Sequence, residues 1–220
     1  MYTELMISSL LDLDKTIARD IFTDYNYPWE VLPAIKKFIV ELGNTLGDNY
    51  YKIADDVWVA KSATIAPTAS ITGPCIIDEC AELRHCAFIR GAVIVGKNAV
   101  VGNSVELKNT IIFDNAQVPH YNYVGDSIIG YKAHMGAQAL TSNVKSDKTL
   151  TTVLYKGEKI ETGLKKFGAI LGDYVEVGCS TVLNPGSVVG RNTNIYPLSF
   201  VRGYIEEKSI FKKTSVIKKW

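Results

Sequence analysis

Arg90 and Lys108 are two cations eighteen residues apart, and His120 and Tyr123 sit three residues apart in the run PHYNYVGD from Pro119 to Asp126. Two cations on one surface can jointly neutralise an anion such as a phosphate. An imidazole titrates near pH 6.5 and can accept a proton at neutral pH. Taken singly, each residue has a plainer reading: most charged groups are solvated surface, and a lone histidine is more often structural than catalytic. His120 is set apart by its company, because Pro119, Tyr121, Asn122 and Tyr123 form a polar and aromatic concentration unlike the repeats before it. Whether these groups meet depends on the elements that carry them.

Those elements are written in a period of six. Val59, Ile65, Ile71, Ile77, Leu83, Ile89, Val95, Val101, Leu107 and Phe113 recur at every sixth position, and a small or apolar residue follows each by four, except at Gln117. The lattice returns as Val124, Ile129 and Met135, then as Leu171, Val177, Leu183, Val189, Ile195 and Val201. A fixed period of six is neither the helical 3.6 nor plain strand alternation, and it marks a parallel β-helix. Three six-residue sides close one coil, each aliphatic enters the shaft, and each coil buries its face against the next. One coil is thus eighteen residues, which stacks Arg90 on Lys108. The lattice breaks twice, at Asn115–Asp126 and at Asn143–Phe167, and departures from a consistent pattern are where function is expected.

The rest of the chain frames this coil. Residues 1–50 carry no hexad; Trp29, Leu32, Ile35, Phe38, Ile39 and Leu42 at helical spacing, with Gly43 as a stop, predict an amphipathic helix that caps the end of the coil. Residues 51–205 form the β-helix, and the break at 143–167 predicts a hairpin about Lys156-Gly157 that projects over a neighbouring subunit or a site. Residues 206–220 are a tail with room for one more strand. With 24 Lys plus Arg against 23 Asp plus Glu, a net charge of +1, nothing favours nucleic acid or an acidic membrane. The N-terminus lacks a basic region followed by an apolar stretch, and no apolar run approaches a span of about 20 residues, so a cytoplasmic protein is expected. Cys75, Cys80, Cys86 and Cys179 contain no CxxC pair and do not read as a zinc site; Cys75 fills a slot that alanine takes in neighbouring repeats.

The runs IRG (Ile89 to Gly91), VGNSVELKN (Val101 to Asn109), PHYNYVGDSIIG (Pro119 to Gly130) and LGDYVEVGCSTVLNPGSVVG (Leu171 to Gly190) resemble the acetyltransferase half of bacterial bifunctional N-acetylglucosamine-1-phosphate uridyltransferases. They resemble still more closely the short sugar-1-phosphate nucleotidyltransferase-like relatives. The resemblance spans roughly Val57 to Gly203. It implies a left-handed coil, an exception to the right-handed rule for parallel crossovers, and a homotrimer with sites between subunits. It further implies His120 as general base, Arg90, Lys108, Tyr123, Asn143 and His134 as substrate-binding residues, and Ala137, Cys179 and Pro197 beside coenzyme A. Acetyl-CoA would be the acyl donor and an amino-sugar phosphate the acceptor, with a role in UDP-N-acetylglucosamine biosynthesis. His134 stands where the family has asparagine, and VKSD replaces the tyrosine-aspartate-glycine run after Asn143. The first 46 residues are too few for a nucleotidyltransferase domain and hold no Gly-rich phosphate loop.

Two other readings compete. A zinc hydratase on the same coil needs three converging histidines, and His85, His120 and His134 have no short ligand spacing. A sugar-phosphate or nucleotide-sugar binding or regulatory protein would keep the anion site without acyl transfer.

Overall fold

In a coil with one aliphatic per side, successive turns put like residues on like residues, so the shaft grows as a column of stacked methyl groups. The computed structural model of the chain, which describes residues 2–212 and the backbone of Ser215–Lys218, has this shaft. It is the left-handed parallel β-helix. Val57, Cys75, Val93, Leu107, Val124, Leu171, Leu183, Val189 and Val201 belong to one buried core that fills the shaft; each valine or leucine among them contributes about 1.5–3 kcal/mol on burial.

The prism has three faces. Strands Val57–Ala60, Cys75–Ile77, Val93–Val95, Ala169–Leu171, Ser187–Val189 and Tyr204–Ile205 build the first. The second runs through Thr64–Ile65, Glu82–Leu83, Val100–Asn103, Gln117–His120, His134–Met135, Glu176–Val177, Asn194–Ile195 and Ser209–Lys212. Ser70–Ile71, Phe88–Ile89, Leu140–Thr141, Val182–Leu183 and Phe200–Val201 belong to the third. Many corners carry a residue at positive φ, including Cys86 (60°), Ser104 (54°), Tyr121 (52°), Gln138 (62°), Ser180 (55°) and Leu198 (57°) between the second and third faces. No β-branched residue occupies such a corner among the described residues, as the left-handed region's crowding requires.

One register differs from the expectation. Glu106–Ile112 and Tyr123–Ile129 each run unbroken from the third face to the first, pairing at a spacing of seventeen residues (Leu107 with Val124, Ile112 with Ile129). The side between them is five residues long, so Ile112 enters the shaft and Phe113 leaves it, packing edge-on against Phe22. Periodicity could not choose within the apolar triplet Ile111-Ile112-Phe113.

The N-terminal segment is not an end cap. Pro33 splits the anticipated helix into a turn at Pro28–Val31 and the helix Ile35–Gly43, and the whole segment lies lengthwise on the first face. Leu5, Leu10, Phe22, Trp29, Ile35 and Ile39 pack on the outward side chains Trp58, Ile76, Ile94, Ile128, Ile170 and Val188. The first coil's open edge is instead paired by Tyr50–Ala54, antiparallel to Val57–Ala60. The hairpin forms, Thr152–Tyr155 with Glu158–Glu161, but folds back on this same flank: Tyr155 and Lys156 both hydrogen-bond Glu4. Hydrogen bonds from both side chains hold the Glu4 carboxyl down at about 2. The tail supplies Ser209–Lys212 and, antiparallel to it, Ser215–Lys218. Among the described residues no helix is long and apolar enough to cross a membrane.

Candidate functional site

His120 ends the second-face strand Gln117–His120, paired with Asn103 of the preceding coil. Below it the corners form a ladder. The His120 carbonyl accepts from Gln138 N–H at 3.0 Å, that of Ala137 from Ser180 N–H at 2.8 Å, and that of Cys179 from Leu198 N–H at 3.0 Å. A Cβ on Gly178 would come within 2.4 Å of the Pro197 nitrogen. One corner therefore lines up His120, Ala137, Cys179 and Pro197, one residue per coil. The corner is pinned by Asn122, which is buried: its Oδ1 accepts the His120 N–H at 3.0 Å while its Nδ2 donates to the Gly136 and Ala139 carbonyls, both at 2.8 Å. The imidazole itself is exposed.

Around that corner, on the third face, lies a second group. Tyr123 opens its strand opposite Glu106 and, on the other side, Leu140. The tyrosine hydroxyl lies over Gly125, where a Cβ would sit 2.4 Å from it and 2.9 Å from Asn143 Nδ2. Asn143 Nδ2 donates to the Tyr123 hydroxyl at 3.1 Å and to Asp126 Oδ2 at 2.5 Å. Asp126, 4% exposed, also accepts from Asn109 Nδ2 at 2.9 Å and from Lys108 Nζ at 3.2 and 3.3 Å. The same Asn109 amide donates to the Leu32 carbonyl at 3.2 Å, tying the cluster to the N-terminal segment. Burial raises the Tyr123 phenol above its ordinary pKa, helped by the nearby Asp126 charge, while the Asn143 hydrogen bond opposes. Arg90 donates to Glu106 at 2.7 Å, which raises the guanidinium's pKa further.

The two cations are thus not a bare pair: each has its own carboxylate, Glu106 or Asp126. A cluster of two positive and two negative groups with a phenol and an amide can grip a small polar ligand through directed hydrogen bonds rather than by net charge. The Lys108 side chain keeps 24% of its surface and Arg90 keeps 52%, so both remain open to a ligand.

The structure brings Arg90, Lys108, Tyr123 and Asn143 together on one face and His120, Ala137, Cys179 and Pro197 on the adjoining corner. His134 joins neither group. It sits on the second face level with Gln117, its Nδ1 3.0 Å from Glu176 Oε2. Sequence reasoning missed Asp126, Glu106 and Asn109. Asp126 stands eighteen residues beyond Lys108, the same spacing that joined Lys108 to Arg90, and that signal was available.

A family model described as the GMPPB C-terminal domain matches residues 43–195. A bifunctional protein GlmU of Methanococcus maripaludis is 34% identical over 200 residues, 89% of this chain and 48% of that protein. A bifunctional sugar-1-phosphate nucleotidylyltransferase/acetyltransferase of Sulfurisphaera tokodaii is 33% identical over 105 residues, 48% of this chain and 26% of that protein. The chain therefore spans half or less of the length of these relatives. A crystal structure of a hexapeptide transferase family protein from Anaplasma phagocytophilum aligns with a TM-score of 0.41 at 14% identity, covering 70% of this chain and 73% of that one.

Proposed function

The chain belongs to the GMPPB C-terminal domain family, and on that footing we propose that it transfers an acetyl group from acetyl-CoA to the amine of an amino-sugar phosphate. The Sulfurisphaera tokodaii relative, named as an acetyltransferase in one of its two activities, supports the reaction class. The observation that carries the reading is the arrangement on either side of one corner: an exposed imidazole heading a ladder of backbone groups, beside a preorganised cluster of Arg90, Lys108, Tyr123 and Asn143.

In this reading the acceptor's sugar hydroxyls and phosphate meet Asn143, Tyr123, Lys108 and Arg90. The amine nitrogen attacks the thioester carbonyl carbon; His120 takes the nitrogen's proton as the new C–N bond forms, and coenzyme A leaves as the thiolate when the C–S bond breaks. The N–H groups of Gly136 and Gln138 are used in the coil ladder, whereas that of Ala137 makes none of those bonds among the described residues and in this reading meets the developing oxyanion, a contribution of about 3 kcal/mol. Cys179 and Pro197 continue the corner along which coenzyme A would lie. In this reading, as the family resemblance implies, the chain works as a homotrimer in which the corner of one copy meets the cluster of the next.

The test is release of free coenzyme A thiol from acetyl-CoA with glucosamine-1-phosphate and a panel of amino-sugar phosphates. Turnover is expected to fall by about 10²- to 10⁴-fold in His120→Ala with the fold unchanged, because the side chain is exposed. Ligand binding without turnover in the wild type would assign the chain to the binding-protein reading.

A further inference from the structure

Beyond the Lys108–Asn143 cluster, the insert and the last coils enclose a cleft of about 560 Å³ that the acyl-transfer reading does not use. It begins next to the cluster, since Ser142 and Val144, the neighbours of Asn143, both line it. Ser142, Asn184 and Arg202 succeed one another down the third face, one per coil. With coils about 4.8 Å apart, Arg202 lies roughly 10 Å along the prism from the coil of Asn143.

The lining has a definite chemistry. Lys145, Lys159 and Arg202 face a single carboxylate, Asp147, which lies 3.7 Å from Lys145. No ion pair holds Lys159 or Arg202 among the described residues. Phe200, 61% exposed, and Leu154, 38% exposed, supply an apolar wall. A phosphate alone needs no such wall and far less room, given that a water's share of volume is about 30 Å³. Cations beside an exposed aromatic ring are the elements that hold a phosphorylated nucleoside: phosphates on the cations, base on the ring.

We propose that this cleft binds the nucleoside diphosphate portion of the acceptor, so that the amino-sugar phosphate is the sugar end of a nucleotide-linked amino sugar, with its sugar and the phosphate next to it at the Lys108–Asn143 cluster and the outer phosphate and nucleoside in the cleft. This rests on the reading of that cluster as the sugar site. Coenzyme A is the other phosphorylated nucleoside in the reaction, but Ser142 and Val144 on either side of Asn143 line the cleft while none of His120, Ala137, Cys179 and Pro197 does, which assigns it to the acceptor.

The experiment is calorimetric titration of the full chain with uridine, guanosine and adenosine 5′-diphosphates, pyrophosphate and coenzyme A, for wild type, Lys159→Gln, Arg202→Gln, Phe200→Ala and His120→Ala. Thermal melts confirm that these exposed substitutions leave the fold intact. At least one nucleoside diphosphate is expected to bind tenfold or more tightly than pyrophosphate, to lose tenfold or more in each cleft variant, and to be unaffected by His120→Ala. Absence of nucleoside diphosphate binding, or binding insensitive to all three cleft variants, overturns the proposal. So does a loss confined to coenzyme A, which would give the cleft to the donor. Nucleoside diphosphate binding with no acetyl transfer on any acceptor would sink the acyltransferase reading and leave the cleft standing. Equal turnover of sugar phosphate and nucleotide-linked sugar, unchanged in Arg202→Gln, would do the reverse.

Discussion

Asp126→Asn tests whether the cluster is held by its buried carboxylate. In the wild type four donor contacts converge on Asp126: Lys108 Nζ on both oxygens, Asn109 on Oδ1 and Asn143 on Oδ2. An amide keeps one acceptor and turns a donor towards Asn109 or Asn143, whose own Nδ2 then faces another N–H group. Each hydrogen bond to a charged group contributes about 1.5–3 kcal/mol, and removing one partner of a buried ion pair costs about 3–5 kcal/mol. The Lys108 side chain is 24% exposed and recovers part of its hydration, so the expected loss is about 2–4 kcal/mol. The assay is urea denaturation at fixed protein concentration for Asp126→Asn, Lys108→Met and the double variant. A coupling energy of about 1–3 kcal/mol is expected, because the double variant has no charge left to strand. Asp126→Asn within about 0.5 kcal/mol of wild type, or strict additivity with Lys108→Met, would refute the reasoning, since either result means that the carboxylate does not hold the lysine.

Gly125→Ala is expected to displace the Tyr123 hydroxyl and the Asn143 amide, both of which lie within 3 Å of the new Cβ. Acceptor KM should rise at least tenfold while coenzyme A affinity stays unchanged, as read by steady-state kinetics and titration. Burial pushes the Asp114 carboxyl up to about 6, with nearby Asp78 adding to it and the Lys97 N–H opposing. A folded-state pKa above the unfolded value of about 3.9 means that stability falls as pH climbs from about 4 to about 6 and stays lower above. Asp114→Asn, which keeps an acceptor for the 2.9 Å bond from Lys97 N–H, should flatten that fall in urea midpoints. It should gain about 1–2 kcal/mol at pH 7, the shift being discounted because solvent screens a partly exposed group.

The shaft was legible because every coil repeats the same demand at the same spacing, and no local propensity could counterfeit so long a run. The hairpin was legible from Lys156-Gly157, where the turn adopts positive φ at both residues, 47° and 91°. Its direction was not, because Tyr155 and Lys156 find their partner in Glu4, about 150 residues away. The lengthwise lie of residues 2–43 had a signal that a period of six hides: Trp58, Ile76 and Ile94 recur every eighteen residues on the outward side of one face, so that face needed a cover. The five-residue sides were masked where Ile111, Ile112 and Phe113 offer interchangeable candidates for the shaft. Asp126 and Asn109, both at φ 49°, sit where a residue is missing from the coil. The shortened corner that upset the register is thus the place where the polar cluster is assembled.

An array of coils joined only to their neighbours can unravel from either end one turn at a time. The N-terminal segment changes that. It rests on Trp58 in the first coil, donates its Asp12 N–H to Asp173 at 2.8 Å near the other end, and is held by Asn109 between them. It works as a splint: no coil can peel away without loosening a strip that grips the others, so fraying at a tip becomes a cost shared along the whole rod. The cluster on the third face inherits that stiffness, since the Asn109 amide that steadies Asp126 is also one of the splint's fastenings.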